Sequence, residues 1–242
     1  MNTRRLFGIT KRILSQLRHD HRTLALVVLA PCLLMTVLKW IYSDNGAVFQ
    51  RVSGSLLGIF PMLIMFLITS VATLRERTSG TLERLLISPL TKLEFIFGHA
   101  ISFGLLALFQ GVIVSTYATQ VLNVSIQRSQ LLLIWIAVID ALVGMAIGLL
   151  LSSFAKTEFQ ALQFMPAILL PQLLISGLLV PRDQMPRLLY EVSNFLPLSY
   201  AADATRKVLS GSDSIVQDSL ILLAFILGLL ALGSLTLKRS SK

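Results

Sequence analysis

The chain alternates long apolar runs with short polar connections, and each run is about the 20 residues that a helix needs to cross the ~30 Å hydrocarbon core of a bilayer. Six such runs predict transmembrane helices near residues 24–43, 52–74, 96–121, 130–154, 160–181 and 216–237. Ahead of them, Leu6, Ile9, Ile13 and Leu17 recur at helical spacing, with Arg4, Lys11, Arg12, Arg18 and Arg22 largely on the other face. That pattern over 4–22 predicts an amphipathic helix lying in the cytoplasmic interface. A lipoprotein signal ending at Cys32 is disfavoured, because Pro31 precedes the cysteine and the apolar run outlasts the roughly 7–15 residues of a signal h-region. Thr91 with Glu94, Thr157 with Gln160 and Ser214 with Gln217 have the spacing of capping boxes. Pro31, Pro61, Pro166 and Pro171 fall inside spans and predict kinks.

Two connections are longer than a turn between spans requires. The inner one, 75–95, contains a short helical pattern from Thr81 to Ile87 that groups Leu82, Leu85 and Leu86 on one face and Glu83 and Arg84 on another. Gly80 frees its entry and Pro89 stops it. A helix this short needs a surface to hold it, and its mixed charges point to a protein surface. The outer connection, 182–215, is not low-complexity, and a long loop of that kind usually has a function. The fold class expected is therefore all-α and polytopic: an interfacial helix, six spans, a short inner helix and an external segment.

Composition agrees with this picture and changes the meaning of the charge. Of 242 residues, 55% are hydrophobic and 14% charged, against roughly 25% charged in soluble domains, and the mean hydropathy is +0.78. A net charge of +9 would suggest nucleic acid in a soluble protein. Here no basic groove with interleaved aromatics is present, and Lys and Arg gather beside alternate spans. With the N-terminus in the cytoplasm, fourteen basic residues fall inside and six outside, the sense of the positive-inside rule, which also puts the C-terminus inside. Lys39 lies near the outer end of the first span, close enough to snorkel. Cys32 is the single cysteine and forms no internal disulfide.

Candidate chemistry is sparse. Asp140 sits in the middle of the fourth span, where an ionised group costs at least ~2.5 kcal/mol. It is a candidate for lining a translocation path, pairing with Lys39, carrying a proton, or holding helices together. Gln110, Gln163 and Gln172 join it as polar points that face a path or bond across helices, as does Gln120. Gly144 and Gly148 form a G-x-x-x-G pair that permits close helix approach, within the subunit in preference to a dimer seam. His19, His21 and His99 show no ligand constellation and read as solvated residues of the inner edge. No catalytic set and no G-x-x-x-x-G-K-[ST] loop occurs, so the chain is expected to bind no cofactor or metal, and any nucleotide-derived energy comes from another chain.

The run Arg75 to Leu90, with Glu76, Gly80, Thr81, Leu82, Glu83, Arg84, Leu86 and Pro89, resembles the loop by which ATP-binding-cassette type-2 (ABC-2 type) permeases dock on their nucleotide-binding subunit. A second stretch, Ser176 and Gly177, then Pro181, Met185 and Pro186, then Leu196-Pro197-Leu198-Ser199-Tyr200 with Asp203 and Arg206, resembles that family's external segment after the fifth span, which implies short external helices leading into the last span. The likeness covers about residues 4–238. Leu196, Ser199 and Asp203 stand where the family often has Asn, Thr and Glu. The resemblance implies the permease subunit of an exporter in a bacterial inner membrane. It implies a separate ATPase that carries ATP and Mg, coupling through 75–90, and a second permease copy or paralogue completing the path. It implies no nucleic acid partner. An ion-coupled secondary transporter using Asp140 is the alternative.

Overall fold

A computed structural model describes residues 3–79, 91–177, 180–211 and 214–236. Among these the regular structure is helical: α1 Thr3–His19, α2 His21–Ile41, α3 Gly46–Thr78, α4 Lys92–Gln120, α5 Gln130–Ser152, α6 Glu158–Ile175, a 3-10 turn Arg182–Gln184, α7 Arg187–Ser193, α8 Pro197–Ser210 and α9 Val216–Thr236. Six of them, α2 to α6 and α9, are long and apolar enough to cross a membrane. The protein is a multi-pass, all-α membrane protein.

Local sequence explains where these helices start. Asp20 caps α2 by accepting from Thr23 N at 3.1 Å, and Asn45 caps α3 by accepting from Val48 N at 3.2 Å. Thr91 and Glu94 make the full reciprocal box at the head of α4. Thr157 accepts from Gln160 N, but the Gln160 side chain reaches Lys156 N and not Thr157. Ser214 accepts from Val216 N, so the Ser214 and Gln217 spacing does not describe this helix start. The 33 residues of α3 amount to about 50 Å of helix, longer than an apolar core requires. It therefore projects past the 52–74 run at both ends. Helix α6 stops at Ile175, short of the apolar run reaching 181, because Gly177 turns the chain with φ at 92°.

Helix α3 is the axle of the structure, packed against α2, α4, α5, α6 and α8. Its closest neighbour is α5, and small residues explain the approach. A Cβ added at Gly144 would stand 2.2 Å from Met62 O, and one at Gly148 would stand 2.7 Å from Phe66 O. The G-x-x-x-G pair therefore serves packing within the chain. Asp140 lies one turn before Gly144, so Asp140, Gly144 and Gly148 share one stripe at i, i+4 and i+8. Nearer its start, α3 carries a second pair, Gly54 and Gly58, against Leu209 and Thr205 of α8. Three apolar clusters stack along this axle. Phe49, Phe60, Val114 and Val208 pack at one end. Met62, Phe66, Val143 and Ala201 fill the middle, and Val27, Ile68, Phe103 and Met145 close the end nearest α1.

Candidate functional site

The last full turn of α3 leads directly into the 75–95 connection, and three consecutive residues there each bind a different part of the molecule. Successive side chains on a helix diverge by about 100°, so one short segment can reach several neighbours. Arg75 donates from Nε and Nη2 to the two carboxylate oxygens of Glu158, at 2.8 and 3.1 Å, in the first turn of α6. Glu76, buried, accepts from the Arg12 guanidinium of α1, and its other oxygen lies 3.4 Å from His99 Nε2 of α4. Arg77 donates to the Ser152 carbonyl and lies 3.5 Å from that of Ala155, at the C-terminus of α5. Those carbonyls lack helical partners and carry the negative end of the helix dipole, which a cation stabilises by about 0.3–1 kcal/mol. Five helices thus meet in three residues.

His99 departs from its expected place. It is buried between Phe95 and Phe103, with ring centroids 4.2 and 6.0 Å away. Its Nδ1 donates to Phe95 O at 3.0 Å, since a carbonyl can only accept. It is not a solvated edge residue, because Phe95 O and the Glu76 carboxylate stand where water would otherwise be. Arg12, expected on the polar face of α1, is only partly exposed because it pairs with Glu76, while Ile9 and Ile13 bury against α4. Of the loop residues expected to contact an ATPase, Glu76 lies within this junction. Gly80, Thr81, Leu82, Glu83, Arg84, Leu86 and Pro89 lie outside the described residues.

Two of the candidates for a translocation path, Asp140 and Gln110, lie against the Pro61 to Met62 turn of α3, and the others do not join them. Asp140 is fully buried, and its Oδ2 accepts from Met62 N at 3.1 Å. Met62 follows Pro61, whose ring crowds the preceding turn of α3, and Asp140 serves the next amide along. Lys39 is not its partner: its Nζ donates to Leu122 O at 3.0 Å, just past the end of α4, and sits 4.8 Å over the Phe49 ring, with the side chain partly exposed. Gln110 is buried in a narrow cleft beside Phe60, Pro61 and Ala137. Gln172 is buried on α6, whereas Gln163 and Gln120 are exposed.

The segment between α6 and α9 is organised by a residue that its spacing in the sequence does not single out. Arg182 donates to Ser193 Oγ at 2.9 Å, to Asn194 Oδ1 and to the Asp203 carboxylate, and stacks 5.4 and 5.6 Å from the rings of Tyr190 and Tyr200. Asp203 also pairs with Arg206, Tyr200 donates to Asn194 O at 2.8 Å, and the Arg206 guanidinium lies against Gly177. Pro181, Pro186 and Pro197 each stand at a helix start, where a missing N–H costs nothing. Lys207 then joins α8 to α9 through Asp218 at 2.7 Å. The spacing of Asp203 and Arg206 signals their pair, but nothing local marks Arg182 as the hub.

Known proteins agree with this architecture. The chain is 30% identical over 174 residues to the probable multidrug ABC transporter permease YbhR of Escherichia coli (strain K12), covering 72% of this chain and 47% of that protein. It is 31% identical over 142 residues to ABC transporter G family member 20 of Dictyostelium discoideum, covering 59% and 20%. The inner membrane transport permease YhhJ of Escherichia coli (strain K12) is 26% identical over 148 residues, covering 61% and 40%. The chain spans about half the length, or less, of these relatives. The family model for ABC-2 type transporters matches residues 4–210, and with six helices fit to cross a membrane the chain belongs to that family as a membrane subunit of an ABC transporter.

Proposed function

We propose that this chain is the permease half of an ATP-driven exporter, coupled through 75–90 to a separate ATPase that carries the ATP and Mg. The Arg75, Glu76 and Arg77 junction supports this reading most directly. A pull on the loop reaches α6 through Glu158, α1 and α4 through Arg12 and His99, and α5 through its terminal carbonyls. Helix α3 carries the same displacement along its whole length, so the spans tilt as rigid units between inward-open and outward-open states. The chain's termini lie in the cytoplasm of a bacterial cell with the loop, in keeping with the excess of basic residues on that side.

The working unit is a dimer, with an identical copy or a paralogue. Helix α6 is the least apolar and least buried of the six candidate spans, and it presents Gln163 beside Leu170 and Leu174. A polar side chain facing lipid is costly, so a second permease covers this face and the path runs between the copies. Two relatives are named probable multidrug permeases, which makes apolar small molecules the first cargo to assay. The ion-coupled alternative is weaker, because one Asp140 oxygen is already committed to a backbone donor.

The test is reconstitution with a candidate ATPase. Glu83→Lys or Arg84→Glu should leave expression intact while separating ATP hydrolysis from transport. Transport by the purified chain with no ATPase present, or labelling of Leu86→Cys only from outside the cell by an impermeant maleimide, would refute the proposal.

A further inference from the structure

A cavity of about 790 Å³ lies between α1, α2, α3 and α4, away from the Arg182 network. Its volume is within the roughly 300–1,000 Å³ of small-molecule sites. Its lining is divided by depth. One end is polar and lies where α1 turns into α2 and where α3 ends, at Asp20, Arg22, Arg75 and Glu76. The rest is apolar, running up to Ala30 on α2 and Ile64 on α3, with Ile68 and Phe103 between. From Asp20 to Ala30 is about 15 Å of helix rise and from Glu76 to Ile64 about 18 Å. Either distance is about half of the ~30 Å hydrocarbon core, which is the depth of a single leaflet.

The charges at the polar end are not equivalent. The Asp20 carboxylate is taken by the amide and hydroxyl of Thr23, at 3.1 and 2.6 Å. Glu76 is taken by Arg12, and Arg75 by Glu158. Arg22 has an exposed guanidinium that makes no ion pair among the described residues. After these pairings the uncommitted charge at the mouth is a cation, placed where a lipid headgroup would lie above an acyl chain. Basic pockets between membrane helices at an interface favour anionic headgroups in this way.

We infer that this cavity is a binding site for one anionic phospholipid of the bilayer, its phosphate at Arg22 and an acyl chain along α2 and α3 against Ile64, Ile68 and Phe103. The lipid wedges the α1 and α2 corner against the α3 end that carries the Arg75 to Arg77 junction. This assignment rests on the cavity alone and stands whether or not an ATPase drives the chain.

The test uses the full chain in nanodiscs of phosphatidylethanolamine and phosphatidylglycerol, with a phosphatidylglycerol bearing a photoreactive diazirine on its acyl chain. Peptide mass spectrometry should find adducts at Ile64, Ile68 and Leu26 in excess over those at Leu227, an exposed position on α9. Ala72→Trp, which fills the cavity from its wall, should lower the cavity adducts about tenfold and leave Leu227 unchanged. Arg22→Glu, on an exposed side chain that leaves the core intact, should abolish the preference over the matching phosphatidylethanolamine probe, and Arg22→Lys should keep it. Cavity labelling no stronger than at Leu227 and unmoved by Ala72→Trp would reduce the site to ordinary surrounding lipid and overturn the inference. A headgroup preference that survives Arg22→Glu would overturn the place of the phosphate.

Discussion

The contact between α3 and α5 makes a graded prediction that follows from geometry alone. A methyl group added at Gly144 would lie 2.2 Å from Met62 O, whereas ordinary contact begins at 3.4 Å. The helices would have to separate by about 1.2 Å, and the obstacle is backbone that cannot rotate aside. Overpacking of this kind costs about 1–3 kcal/mol, and separation also stretches the Asp140 bond to Met62 N. Alanine regains about 0.8–1.0 kcal/mol over glycine inside a helix, so the net loss for Gly144→Ala is about 1 kcal/mol. At roughly 2–4 °C per kcal/mol for a chain of this length, Tm should fall by about 2–4 °C. Gly148→Ala, with its obstacle at 2.7 Å, should lose less, and Gly111→Ala, at 3.4 Å from Ala137 Cβ, little or nothing. Gly228→Ala meets nothing within 4 Å and should hold or gain. The assay is thermal unfolding of the four purified variants in one detergent, read by intrinsic fluorescence and checked by size exclusion. If Gly144→Ala melts within about 1 °C of Gly228→Ala, the seam is not as tight as described and the reasoning fails.

Three further outcomes are expected. Asp140→Asn keeps an acceptor for Met62 N and should retain Tm and transport, whereas Asp140→Leu strands a buried N–H at a cost of about 1–3 kcal/mol; loss of transport in a stable Asn variant would instead assign Asp140 to proton movement. Arg75→Glu and Glu158→Arg, both largely exposed, should each change stability by less than about 1 kcal/mol, yet lower the ATP-driven transport of the reconstituted complex, and the double exchange should restore it. Hydrogen bonds from the Thr23 hydroxyl and amide outweigh the opposing effect of burial and, with a lesser contribution from Arg75, hold the Asp20 carboxyl below the usual aspartate range. A depressed folded value means the stabilisation is present above the unfolded value of about 3.9 and is lost as pH falls through the folded one. The Tm gap between wild type and Asp20→Ala, reflecting a cap of about 0.5–2 kcal/mol, should be constant near neutral pH and close below about pH 4; a gap that widens in acid would contradict this.

The six spans, the class of fold and several helix starts were legible in the sequence, because they depend on local quantities. An apolar run long enough to cross the bilayer has few alternatives to a helix, and a cap such as Thr91 with Glu94 involves residues three apart. Pairings between distant segments were not legible. Arg12 and Glu76 are separated by 64 residues, Arg75 and Glu158 by 83, and Asp140 and the Met62 amide by 78. An exposed His99 and a polar-faced Arg12 were reasonable from spacing, and each was redirected by a partner that only packing supplies. The second glycine pair, Gly54 and Gly58, carried the same spacing as Gly144 and Gly148, but its meaning appears only with α8 against it. Hydropathy and spacing determined which segments become helices and which enter the membrane, since those choices are settled between each segment and its solvent. The tertiary structure decided which charges are spent on one another and which remain free, as with Arg182 and Arg22, because a side chain's role depends on what is brought beside it.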